Sequence, residues 1–169
     1  MNIKLTESEQ FFAALSGLMR RFKAIRKNRS EPLGTPAADL WGNDIESSGA
    51  EMAVAKHFNL HWSGAVHKNF TLLGGDVGNC LEVRSTHWPN GKLRIDEKDK
   101  DERPFVLVRG TMPTFSLSGW CFAYEAKEEK YKEPGDGRFK DPADWSYWVP
   151  AQDLRPMESL VIVEKNAEQ

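Results

Sequence analysis

Residues 74–86 of the chain read GGDVGNCLEVRST, and this stretch places two acids and a cation around one short predicted strand. Asp76 lies in a turn flanked by glycines. Glu82 and Arg84 are two residues apart, so they share one face of the strand while its apolar residues point to the other. Two neighbouring carboxylates can bind a hard divalent cation through oxygen, and a nearby cation can stabilise a phosphate. The pattern is typical of metal-assisted phosphodiester hydrolysis.

Length and composition favour one globular domain. The chain has 169 residues, of which 40% are hydrophobic, enough for a packed core. The first ten residues are polar and charged, and no apolar run approaches the roughly 18 residues that span a membrane. Cys80 and Cys121 form no CxxC pair, which favours reduced thiols over disulfides or a zinc site. We therefore expect a cytoplasmic protein with no membrane association, in a bacterial host if the gene belongs to a phage.

Basic residues are concentrated near the N-terminus, although the net charge is only −2. The segment between Phe11 and Ser30 has six cations and no acid. Five of them are candidate contacts to a phosphate backbone: Arg20, Arg21, Lys23, Arg26 and Lys27. The alternative is a solvated helix face without a partner.

Two helices are predicted before the glycine turn. Apolar residues recur at helical spacing over residues 7–27. A second helix is predicted over residues 43–58, with Asn43 as N-cap and Glu46 completing a capping box. A short separate helical piece is predicted over residues 37–41.

Strands dominate the second half of the sequence. The apolar runs predict strands at 70–73, 80–85, 92–95, 104–109, 114–124 and 147–150. An Asn90-Gly91 turn, typical of a hairpin, precedes the strand at 92–95. We predict a short helix or turn over 125–131, a charged solvated loop over 96–103, a flexible loop over 133–144, and a last apolar segment over 160–163. The order of elements predicts either an α+β domain or an α/β domain with a mixed sheet, and in both the sheet is mostly antiparallel on its later side.

Glu51 is the anomaly of the second helix. At about 100° per residue it falls in the middle of the arc formed by the helix's apolar residues. A carboxylate there is costly unless it is paired or bound to a cation. Glu51 therefore either joins Asp76 and Glu82 in a metal site or forms a structural bridge with a buried arginine.

The ordered set of Glu51 on a helix, Asp76 at a turn and Glu82-Val83-Arg84 on a strand resembles the PD-(D/E)XK nuclease superfamily. The strings at 49–56 and 76–86 look like phage-encoded members, and the resemblance covers residues 43–110. It implies a restriction-endonuclease-like fold with a central mixed sheet flanked by helices, and one nuclease-like domain over 1–169. Residues 1–35 would form its N-terminal helix and linker, 43–131 its core, and 132–169 its C-terminal loop and cover.

The resemblance also implies the roles of individual residues. Asp76, Glu82 and the carbonyl of Val83 would bind Mg²⁺ or Mn²⁺, and Glu51 would bind a second ion or a metal-bound water. Arg84 would complete the catalytic set with Glu51, Asp76 and Glu82, in the position where the family has lysine. The sequence also departs from the family at Gly75, where a proline is usual.

Arginine stays protonated, so Arg84 can orient a phosphate or the water but cannot act as a base. Lys92 on the neighbouring predicted strand is a candidate substitute for the family lysine and a candidate DNA contact. Thr86 and His87, just past the strand that carries Glu82, are further candidate DNA contacts.

The expected function is metal-dependent hydrolysis of DNA, either single- or double-stranded, since the sequence does not distinguish the two, and a homodimer is possible. The alternative is a catalytically weak nuclease-like fold that binds DNA or a protein. Other hydrolases lack support, because a GxSxG elbow, a P-loop and a Rossmann glycine pattern are absent from the sequence.

Overall fold

The structure, a computed structural model, describes residues 1–27, 37–64, 75–78, 80–134, 141 and 145–162. The predicted strand at 70–73 and most of the predicted loop at 133–144 lie outside the described residues. Within them the chain is a mixed α/β fold with two open sheets and two long helices.

Helix α1 spans Glu7–Arg26 and begins at a capping box. The Thr6 hydroxyl accepts the amide of Glu9, and the Glu9 carboxylate accepts the amide of Thr6 at 2.6 Å. These bonds satisfy amides that have no partner inside the helix. The helix predicted over 7–27 is confirmed, with Lys27 as its C-cap.

Helix α2 spans Ala37–Phe58, so residues 37–41 are helical as predicted, but they belong to α2, and its predicted start at Asn43 is wrong. The cause is packing against α1. Arg21 of α1 donates to the carboxylate of Asp44 at 2.7 Å, and the α2 backbone lies against Gly17. These contacts hold the chain helical through Asn43, which is inside α2 rather than at its cap.

Glu46 has a tertiary role instead of the predicted capping role. Its carboxylate accepts the amide of Met112 at 2.8 Å, which ties α2 to the turn after the fourth strand. A glutamate carboxylate can accept an amide at a helix cap or an amide from a distant segment. The spacing of residues along one helix does not show which of the two it does.

Gly17 sets the distance between the two helices, and this leads to a stability prediction. A Cβ at Gly17 would lie 2.5 Å from the carbonyl oxygen of Asp44 and from the Cα of Ile45. We expect Gly17→Ala to lower the free energy of unfolding by about 1–3 kcal/mol, although alanine favours helix. The measurement is urea unfolding. Gly42→Ala is the control, because a Cβ there meets nothing within 4 Å. It should leave stability unchanged or raise it by up to about 1 kcal/mol.

The main sheet has four strands. Across it lie β1 (Asn2–Lys4), β5 (Thr114–Phe122), β4 (Pro104–Thr111) and β2 (Glu82–Thr86). Strand β2 runs parallel to β4, and the other neighbours are antiparallel. The mixed sheet with later antiparallel pairing is therefore confirmed. The sequence analysis missed β1, whose three residues alternate without a long apolar run.

A second sheet of three antiparallel strands contains β3 (Leu93–Ile95), β7 (Ser146–Val149) and β6 (Lys132–Glu133). Strand β3 pairs with β7, so the Asn90-Gly91 turn does not form the expected hairpin. The Arg109 side chain of β4 donates twice to the carbonyl of Gly91, at 2.6 and 3.0 Å. This contact fixes the turn to the main sheet and directs the chain towards the second one.

Short helices complete the fold. They are α3 (Ala123–Ala126) and 3₁₀ turns at Glu129–Tyr131, Ala151–Asp153 and Met157–Ser159. No regular element covers residues 160–162, although Leu160 packs into the core. Within the described part of the chain, no helix is long and apolar enough to cross a membrane.

The hydrophobic core has two parts, one on each side of strands β4 and β5. One part joins α2 to the sheet through residues such as Val54, Val106 and Phe115. The other joins the main sheet to β3 and β7 through residues such as Phe105 and Ile95. The buried face of α2 thus points at the sheet and brings Glu51 towards the beginning of β2.

Candidate active site

Glu51 is buried in the core face of α2, as the helical pattern predicted, with 6% of its surface exposed. Its two carboxylate oxygens accept two hydrogen bonds from the guanidinium of Arg20, each 2.7 Å long. The indole nitrogen of Trp62 donates to Oε2 at 3.0 Å. Of the two roles expected for Glu51, the structure shows the bridge to an arginine, although Arg20 is half-buried rather than fully buried.

The pKa of Glu51 is raised above its ordinary value. The main cause is burial, which disfavours the charged form, and the charge of Asp76 raises the pKa further. The hydrogen bonds from Arg20 and Trp62 act in the opposite direction. Glu51 therefore depends on Arg20 for its charge, and it lies within electrostatic reach of Asp76.

Asp76 is held by the turn that leads into β2. Val77 and Leu81 form an isolated bridge, and Gly78 between them has φ 56°, where glycine is free of strain. The Asp76 amide donates to the carbonyl of Leu81 at 2.7 Å, and its Oδ2 accepts the amide of Val83 at 2.9 Å. The strand begins at Glu82 rather than at residue 80, because Leu81 is bridged back to Val77.

Glu82 is the first residue of β2, and its carboxylate is repelled by the charge of Asp76. Burial raises the pKa of Glu82 to about 7, and the charge of Asp76 contributes to the same shift. Arg84 and Arg103 oppose the shift. A cation bound near Glu82 and Asp76 would stabilise the charged form of Glu82 and relieve its repulsion from Asp76.

The pKa of Glu82 gives a prediction about stability. Its value of about 7 in the fold exceeds the ordinary 4.5, so the fold loses stability as pH rises from about 4.5 to about 7, and the loss is complete above that. We expect Glu82→Gln to unfold at higher urea than the wild type at pH 8.5, by about 1–2 kcal/mol after allowing for partial exposure. At pH 4.5 the two should be nearly equal. A wild type that gains stability between pH 6 and 8.5 relative to Glu82→Gln would contradict the assignment.

Arg84 shares a face with Glu82, as predicted from their spacing, but its closest acid is in the next loop. Its guanidinium lies 3.9 Å from Glu82 and 3.2 Å from the carboxylate of Asp99. It also stacks over the ring of Phe105, 4.9 Å from the centroid. The predicted solvated loop at 96–103 therefore contributes a site residue. Asp99 was not predicted as a site residue. It lies in a loop far from Arg84 along the chain, and a contact of this kind leaves no periodic pattern in the sequence.

The predicted DNA contacts on α1 differ in position. Arg20 and Arg21 are bound to Glu51 and Asp44 on the side of α1 that faces α2. Arg26 and Lys27 are exposed at the end of the helix, and Lys23 is half-buried. Helical spacing places Arg20 on the same side of α1 as its small residues. Its position facing α2 could therefore have been predicted.

The remaining predicted contacts lie near the end of β2 and beyond it. The Thr86 hydroxyl accepts the amide of Trp88 at 3.2 Å, and the rings of His87 and Trp88 are 4.6 Å apart. Lys92 donates to the carboxylate of Glu133 at 2.7 and 2.9 Å. The structure thus gives Lys92 a carboxylate partner of its own.

The donor set matches a metal site only in part. Among the described residues, no three His, Cys, Asp or Glu side chains converge closely enough to hold one metal ion. Both oxygens of Glu51 are occupied by Arg20 and Trp62. Asp76 and Glu82 remain as an oxygen pair whose mutual repulsion a cation would relieve. The pair fits Mg²⁺ or Mn²⁺, whereas Glu51 in this conformation does not add a ligand.

Comparisons of the chain with protein-family models, curated proteins and solved structures give no match. The likeness to PD-(D/E)XK nucleases rests on the motif residues alone.

Proposed function

We propose that this protein is a Mg²⁺- or Mn²⁺-dependent nuclease that hydrolyses DNA and has a restriction-endonuclease-like fold. One observation carries the proposal. The turn before β2 fixes the carboxylate of Asp76 to the amide of Val83, beside Glu82 and on the strand that carries Arg84. Two acids and a cation at one strand end are the groups that phosphodiester hydrolysis requires.

Asp76 and Glu82 would hold the metal, whose chemistry is to lower the pKa of a bound water and to neutralise charge on the phosphate. The amide of Val83 keeps Asp76 oriented. Arg84 would act on the phosphate as a positive charge, held in place by Asp99. Arg20 and Glu51 connect α1 to α2, the helix that packs on the sheet.

Metal binding tests the proposal directly. Titration of Mn²⁺, followed by electron paramagnetic resonance, should show binding that Glu82→Gln weakens by at least about tenfold. Binding should also be tighter at pH 8 than at pH 6, because a proton must leave Glu82 first. Glu158→Gln is the matched control, since Glu158 is an exposed acid elsewhere on the surface. Equal Mn²⁺ affinity in the wild type, Glu82→Gln and Glu158→Gln would show that Glu82 is not a metal ligand.

A second function is favoured by a separate observation. The paired hydrogen bonds between Arg20 and Glu51 neutralise the acid that would otherwise complete the metal site. A nuclease-like domain that binds DNA or a protein without cutting would have this arrangement. Retention of DNA in EDTA, with no cleavage in Mg²⁺ or Mn²⁺, would favour this second function.

A further inference from the structure

Helix α1 has two apolar sides. The side that faces α2 is formed by small residues such as Ala13 and Gly17, which are buried. The opposite side carries large apolar residues that are 43–64% exposed. We call these six residues the outer face of α1: Phe11, Phe12, Leu15, Met19, Phe22 and Ile25. A monomeric surface helix normally has polar residues in this position.

The spacing on this side of α1 is that of a helix-pairing seam. Four residues of the outer face and the half-buried Leu18 form it: Phe11, Leu15, Leu18, Phe22 and Ile25 follow one another at alternating steps of four and three residues. This 3.5-residue repeat aligns apolar side chains with a second helix and not with a flat surface. The helix has 20 residues, so the seam extends over most of its length of about 30 Å.

We propose that a second copy of this chain covers the outer face, with the two α1 helices packed antiparallel around a two-fold axis near Leu18. Such pairing places Phe11 against Ile25 and Leu15 against Phe22 of the other copy. Each contact then joins a larger side chain to a smaller one, which favours close packing. A two-fold arrangement also closes, so that the seam of each copy is covered by the other and no third copy is added.

The charges at the two ends of α1 favour the antiparallel direction. The first turn contains Glu7 and Glu9, and the last turn contains Lys23 and Arg26. Antiparallel packing brings Arg26 of one copy within about one turn of Glu7 of the other. Parallel packing would place Glu7 beside Glu7 and Arg26 beside Arg26, which costs energy.

The exposed area is large enough for a dimer. Three half-exposed phenylalanines and three aliphatic side chains present on the order of 500 Å² of apolar surface per copy. A standard interface buries about 800 Å² per partner, including a polar rim. A cavity of about 440 Å³ at the edge of the face, lined by Phe12, Met19, Met52 and Trp62, extends the apolar area beyond the helix. Arg20 lies on the inner side with Glu51, so pairing leaves that contact intact.

Light scattering and sedimentation of the full chain test the dimer. At protein concentrations up to about 100 μM, we expect a mass approaching twice 19.2 kDa, since a dimer of micromolar affinity is then nearly saturated. Phe11→Glu should weaken association by roughly tenfold or more without changing the circular dichroism spectrum, because Phe11 is 64% exposed. Val161→Glu is the control, because Val161 is also exposed but lies outside the face. A wild type that stays monomeric over this range overturns the proposal.

Disulfide cross-linking tests the direction of pairing. Leu18→Cys should cross-link to itself, and a mixture of Phe11→Cys and Ile25→Cys should form a mixed product. Phe11→Cys alone should not, because the two positions would be about 21 Å apart along the helices. The wild type shows what Cys80 and Cys121 contribute. Efficient self-linking of Phe11→Cys would indicate parallel helices and contradict the antiparallel arrangement.

Discussion

Arg20→Met is expected to lower the free energy of unfolding by about 3–5 kcal/mol at neutral pH, because it leaves Glu51 buried without its counter-charge. Both oxygens of Glu51 currently accept hydrogen bonds from Arg20, and only Trp62 would remain. Urea unfolding followed by tryptophan fluorescence measures the loss. Arg26→Met, an exposed change on the same helix, should alter stability by less than about 0.5 kcal/mol.

Two further results show whether Arg20→Met loses stability because of an unpaired buried charge or because of lost packing. Adding Glu51→Gln to Arg20→Met should recover much of the lost stability, because the amide carries no charge and still accepts from Trp62. The single variant should also regain stability as pH falls. The pKa of Glu51 is already raised by burial, and without Arg20 it rises further, so lower pH removes the charge. A loss below about 1 kcal/mol, or one independent of pH, would contradict this account of the pair.

Asp76→Asn is expected to reduce metal-dependent DNA cleavage by about 10³-fold or more while leaving the fold intact. Asparagine can still accept the amide of Val83, so the turn before β2 should persist, but a metal loses one of its two charged ligands. Initial cleavage rates on plasmid DNA in Mn²⁺ measure the effect.

Two comparisons make this result specific. Asp39→Asn changes an exposed acid of α2 and should leave the rate unchanged. Circular dichroism of Asp76→Asn should match the wild type. Cleavage by Asp76→Asn at the wild-type rate would mean that Asp76 only shapes its turn.

The sequence predicted the local features of the fold well. The span of α1, the strands at β4 and β5, and the burial of Glu51 all follow from patterns within a few residues. The early start of α2 and the pairing of β3 with β7 did not follow. Both depend on contacts between distant segments, such as Arg21 with Asp44 and Arg109 with Gly91.

In the candidate site too, local features were predictable from the sequence and contacts between distant segments were not. The shared face of Glu82 and Arg84 follows from strand geometry and is observed. The partners of the charged residues are long-range: Arg20 reaches Glu51 from another helix, and Asp99 reaches Arg84 from another loop. A single sequence identifies a buried acid that needs a cation. It does not distinguish between an arginine and a metal ion, which satisfy the same electrostatic need.

Cleavage of linear, circular and single-stranded DNA by the wild type and by Glu82→Gln, in Mg²⁺, Mn²⁺ and EDTA, tests the central claim most directly. We expect the wild type to cut in the presence of metal, to stop in EDTA, and to lose its activity with Glu82→Gln. Cutting of circular DNA would establish an endonuclease, whereas a requirement for ends would establish an exonuclease. No cutting by the wild type with either metal, or equal cutting by Glu82→Gln, would contradict a nuclease built on Asp76 and Glu82.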